Sequence, residues 1–107
     1  MIEKTKKLLL TLRTQRKTVV YDLTYNSLKY YIKGYIEGVG HAYSIPLNMK
    51  ITEWLEAKIN TKLNMFWTDY IYYLADQDEL KACDLLLDTL EQYIGQSDEL
   101  DYQASFD

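Results

Sequence analysis

The strongest constraint on this chain is a set of apolar residues that return every three or four positions. Between Leu28 and Val39 they are Leu28, Tyr31, Ile32, Tyr35, Ile36 and Val39. That spacing lines all six along one stripe of an α-helix, where a strand would scatter them over both faces. The spacing predicts a helix from Thr24 or Asn26, either of which can cap it, to Val39, with Gly38, Gly40 and Pro46 ending it. Gly34 lies inside the stripe, which suits a close helix crossing. Four more stretches carry the same period. Leu8, Leu9 and Leu12 place a helix over about Ile2 to Thr14. Ile51, Trp54, Leu55 and Ile59 place one over about Leu47 to Asn60, capped by Asn48 or Thr52. Phe66, Trp67, Tyr70, Ile71 and Leu74 place one over about Lys62 to Ala75. Leu80, Cys83, Leu87, Leu90 and Ile94, supported by Leu86 and Tyr93, place the last, which Gly95 stops. Asp76 with Glu79 three residues later reads as its capping box.

Gln15 to Asn26 lacks the period, as does Gln96 to Asp107. Thr18, Val19, Val20 and Tyr21 are β-branched or aromatic, so an extended connector is expected near residues 17–22. One short strand makes no sheet. The fold class is therefore all-α, a compact bundle of four to five helices, with the third and fourth either separate or one kinked helix. The 107 residues suit a single domain over residues 1–95, followed by an acidic, loosely held tail over residues 96–107. The run Leu8 to Leu10 plus Leu12 is too short for a signal peptide or membrane span. With one cysteine, Cys83, the chain forms no internal disulfide and reads as cytoplasmic.

Charge is sorted along the length. Through Glu53 nine bases stand against four acids, a net charge of +5; from Trp54 onward three bases stand against twelve acids, a net charge of −9. Sorting of this kind says what each end attracts. An acidic surface repels nucleic acid and draws basic proteins. Lys4, Lys6, Lys7, Arg13, Arg16 and Lys17 can touch phosphates, but the chain as a whole carries −4 and shows no reading element, which disfavours nucleic acid.

Enzyme signatures are missing. His41 and Cys83 are each the single residue of their type, which is too few for a zinc site, and nothing locates them together as a nucleophile and base. There is no Gly-rich phosphate loop. No metal or cofactor is implied. Asp84 and Asp88 stand four apart, and Asp88 and Glu91 three apart, on one side of the final helix. A solvated acidic side is the ordinary reading of such a set; a dock for a basic partner is the sharper one. The eleven tyrosines support the second, because tyrosine packs a ring and keeps its hydroxyl wet. Tyr72 and Tyr73 fall away from the centre of their own stripe, and exposed tyrosines beside acids are a composition that suits binding hot spots.

The order of residues resembles that of small all-helical bacterial immunity proteins of contact-dependent growth inhibition and related polymorphic toxin systems. The resemblance is carried by Arg16 and Tyr21 in a connector, Tyr31 to Gly34 followed by Tyr35, then Trp54, Trp67, and the acidic segment from Glu79 to Tyr93. It implies neutralisation by binding: the partner is a cognate toxin domain, basic where it is a nuclease that must hold phosphates. Asp84, Asp88, Glu91, Tyr72 and Tyr73 are the expected contacts. The alternative is a small regulatory or adaptor protein that uses the basic N-terminal side, on nucleic acid or otherwise.

Overall fold

The structure, a computed structural model, describes residues 2–15 and 24–96. These form five helices: α1 (Ile2–Thr14), α2 (Tyr25–Tyr43), α3 (Leu47–Ile59), α4 (Trp67–Leu74) and α5 (Glu79–Gln96). The chain is all-α, as the periodicity predicts. The extended connector and the tail after Gln96 lie outside the described residues. Among those described, no helix is long and apolar enough to cross a membrane.

The core is where the stripes meet. Leu9 and Leu12 of α1, Leu28, Ile32 and Ile36 of α2, Ile51 and Leu55 of α3, Trp67 and Ile71 of α4, and Leu86, Leu87 and Leu90 of α5 are buried. Each such side chain contributes about 1.5–3 kcal/mol when fully buried. The fifth helix touches the first, second and fourth, so its stripe anchors the bundle. Two predicted core residues lie elsewhere: Leu80 is 72% exposed and Leu74 46% exposed. Both sit at an end of their helix, where the stripe runs past its neighbours.

Polar groups inside the bundle are paired. Trp67 Nε1 donates to Asn48 Oδ1 at 3.0 Å, and Asn48 Nδ2 donates to Glu37 Oε1 at 2.8 Å. This chain ties α4, α3 and α2 together. The Tyr25 hydroxyl donates to the Thr68 carbonyl at 2.6 Å. Burial raises the pKa of that hydroxyl above the ordinary tyrosine value, with Cys83 and Asp69 adding to the effect. At the surface Lys29 Nζ bridges α2 to Asp69 of α4 at 3.2 Å.

Several predicted boundaries move, each for a local reason. Helix α2 begins as expected, with the Thr24 hydroxyl accepting from the Ser27 N–H. It then continues through Gly38 and Gly40 to Tyr43. Glycine inside a helix costs about 1 kcal/mol, which is not enough to stop one. The stop is Ser44 at φ 56°, whose N–H reaches the Gly40 and His41 carbonyls. Gly34 and Gly38 face open space; the close approach occurs at Gly40, where an added Cβ would lie 2.4 Å from the Ile45 carbonyl oxygen. Helix α3 starts after Pro46 with no side-chain cap, and Asn48, a predicted cap, is instead buried on the Trp67 indole. Thr52 lies inside α3, its hydroxyl bonded to the Asn48 carbonyl.

Helices α3 and α4 are separate. Asn60 ends α3 in the left-handed region at φ 56°, and Glu56 Oε2 accepts from the Leu63 N–H to hold the loop that follows. Helix α4 is shorter than predicted, beginning only at Trp67. The cap of α5 is Asp78, whose Oδ1 accepts from the Lys81 N–H at 3.0 Å. Asp76 stands in the preceding turn at φ 53°, with Gln77 at φ 61°. Glu79, the other half of the predicted capping box, accepts from the Tyr25 N–H at the start of α2. Helix α5 also runs through Gly95 to Gln96.

Candidate partner-binding surface

Asp84, Asp88 and Glu91 lie within about 60° of one another around α5, because residues four and seven apart nearly eclipse on a helix. Burial of Cys83, Leu87, Leu90 and Ile94 turns that side outward, and all three acids are exposed. The structure therefore brings these predicted residues together.

Two of the acids have a partner from α1. Arg13 Nη2 lies 2.5 Å from Asp88 Oδ1, and Arg13 Nε lies 2.8 Å from Glu91 Oε1. The hydrogen bond that the guanidinium donates to Glu91 raises its pKa above the ordinary range; desolvation opposes this and Asp88 adds to it. Both carboxylates are about half exposed, so water screens the pair and its contribution to stability is about 1 kcal/mol at most. Against Arg13 the three acids leave a local charge of −2. Asp84 makes no ion pair among the described residues.

The two tyrosines separate. Successive residues on a helix point about 100° apart, so Tyr72 and Tyr73 cannot share a side. Tyr72 is half-buried, its ring stacked on Tyr25 with centroids 5.2 Å apart. Tyr73 is 66% exposed and stacks on Tyr70 beside a groove lined by Ile59, Leu63 and Met65.

Sequence reasoning missed three features. The first is Arg13 as a counter-ion, since 75 and 78 residues separate it from its partners and no local pattern signals the contact. The second is the exposed groove beside Tyr73, formed by the loop before Trp67, part of which the apolar spacing places in a helix. The third is Leu10, 62% exposed at the lip of a cleft between α1 and α5. Its signal was present: Leu10 falls off the stripe made by Leu8, Leu9 and Leu12.

Cys83 lies in the core while His41 stands in solvent, so the two do not meet at a common surface. Among the described residues no group of three or more His, Cys, Asp or Glu is placed to hold a metal. No protein-family model, curated protein or solved structure matches this chain. The likeness to immunity proteins therefore rests on the residues quoted for it above.

Proposed function

We propose that this chain is a non-enzymatic binding protein whose α5 acids dock on a basic partner domain, neutralising it as an immunity protein neutralises a toxin. The observation that carries the reading is the shared outward side of Asp84, Asp88 and Glu91. Like charges four apart on a helix cost about 0.2–0.5 kcal/mol, a repulsion that a bound cation relieves. Arg13 supports the reading a second way. Its fork between Asp88 and Glu91 is the grip that these carboxylates offer to an arginine. A partner guanidinium binds beside Asp84 or displaces Arg13. Tyr73 stands exposed beside a groove lined by Ile59, Leu63 and Met65 and has no contact with these acids among the described residues. The alternative, phosphate binding by the basic side of α1, finds Arg13 already engaged.

The test uses the full chain and a basic nuclease-type toxin domain encoded beside it. The expected result is a stable complex and loss of the toxin's activity. Reversing Asp84 and Asp88 to lysine lowers the association rate about tenfold at low salt, with a smaller effect at high salt. Arg13→Ala, which frees two acids, raises it. Failure to form a complex, or a complex indifferent to all three changes, refutes the proposal.

A further inference from the structure

The cleft between α1 and α5 adjoins the proposed dock and shares Arg13 and Glu91 with it. Its floor is Leu9 and Ile94; Leu10, Lys6 and Arg13 line one wall and Glu91 the other. The two helices run antiparallel. Arg13, late in α1, meets Asp88 and Glu91, whereas Lys6 and Leu9, earlier in α1, share the cleft with Ile94, later in α5. Lys4, Lys6, Lys7 and Arg13 against Glu3 give α1 a charge of +3. Glu79, Asp84, Asp88 and Glu91 against Lys81 give α5 a charge of −3. On this side Lys6 and Arg13 of α1 and Asp88 and Glu91 of α5 flank the apolar seam of Leu9, Leu10 and Ile94.

We infer that a second copy of this chain docks on that side, with its α1 over α5 of the first and its α5 over α1. Two-fold symmetry allows two face-to-face arrangements. An axis running across the seam stacks α1 on α1 and α5 on α5, which sets cation on cation and anion on anion. An axis running along the seam stacks basic on acidic twice. Charge therefore selects the second. That axis also keeps each residue at its own height along the seam. Leu10 then lies over α5 of the second copy, which covers the exposed leucine. Arg13 comes level with Asp88 and Glu91 of the second copy as well as with its own.

The size of the face sets the strength. A 13-residue helix is about 20 Å long, and two packed helices are about 20 Å across, so each copy contributes on the order of 400 Å². That is about half of what a standard stable interface buries per partner. The dimer is concentration-dependent and weakened by salt. The inference does not depend on the proposed inhibitor role; where both hold, the second copy and a basic partner compete for Asp88 and Glu91.

The experiment is sedimentation equilibrium of the full chain from about 1 to about 300 µM, at about 20 mM and about 500 mM salt. The expected mass rises toward twice the 12.7 kDa of one chain at low salt and falls back at high salt. Leu10→Glu weakens association at least tenfold, and circular dichroism confirms that the variant folds. Tyr30→Ser, at an exposed ring on α2, changes nothing. A monomer at every concentration overturns the inference, as does a dimer indifferent to salt and to Leu10→Glu. A monomer in which Leu10→Cys is shielded from a soluble maleimide puts another segment of the same chain in the cleft, and overturns it too.

Discussion

Alanine substitution at three glycines of α2 separates the effect of helix propensity from that of packing. Gly34, Gly38 and Gly40 all lie in helical backbone, and none has positive φ. Propensity alone predicts that alanine stabilises each by about 0.5–1 kcal/mol. At Gly34 and Gly38 an added Cβ meets nothing within 4 Å, so the full gain appears. At Gly40 the Cβ lies 2.4 Å from the Ile45 carbonyl oxygen and 3.3 Å from the Leu47 nitrogen. An ordinary carbon–oxygen contact is about 3.3 Å or longer, so the carbonyl must move by about 1 Å. That oxygen accepts from the Leu47 N–H at 2.8 Å, and displacing it strains the hydrogen bond. Overpacking costs about 1–3 kcal/mol and the weakened bond about 1 kcal/mol more. Set against a propensity gain of about 1 kcal/mol, Gly40→Ala destabilises by about 1–3 kcal/mol. In thermal unfolding, Gly34→Ala and Gly38→Ala raise the midpoint by about 2–8 °C each, and Gly40→Ala lowers it by at least about 4 °C. If Gly40→Ala stabilises as much as the other two, the tight turn between α2 and α3 is wrong.

Two further predictions concern buried and capping groups. The Tyr25 hydroxyl has a raised pKa in the folded chain against an ordinary value of 10.0, so it stays neutral above pH 10 while the unfolded chain ionises. Its effect on stability is therefore flat below pH 10 and unfavourable above it, by about 1.4 kcal/mol per pH unit. Tyr25→Phe removes that slope and loses the bond to Thr68, about 1 kcal/mol at neutral pH; denaturant titrations at neutral and alkaline pH check both. Asp78→Ala costs about 1 kcal/mol through loss of the α5 cap, whereas Asp76→Ala removes no cap, and urea unfolding of the two variants ranks them.

What the sequence reveals here is what depends on near neighbours. Five stripes of apolar residues predict four or five helices, and the start of α1 and the stripe of α2 follow from spacing alone. Ends are less legible, because they turn on small differences. Gly38 and Gly40 read as a stop, yet the helix tolerates both and ends at Ser44, a residue with no special preference for the left-handed region. Asp76 and Asp78 are two residues apart, and only the backbone decides which caps α5. The acidic side of α5 was legible because spacing of four and three on a helix fixes a common direction. Its pairing with Arg13 was not, because that contact is made by the closing of the bundle. Tyr72 shows the same limit: spacing sets it off the centre of its stripe, but the Tyr25 ring stacked on it comes from α2, 47 residues earlier in the chain.

The Glu79 carboxylate that receives the Tyr25 N–H has a consequence for synthesis. The two residues are 54 positions apart, so α2 leaves the ribosome with its opening turn unfinished and stays so until α5 begins to emerge. The start of one helix is completed by the start of another made much later. Until Glu79 has emerged, the Tyr25 N–H has water for a partner, while Thr24 already caps the Ser27 N–H from within the same stretch of chain.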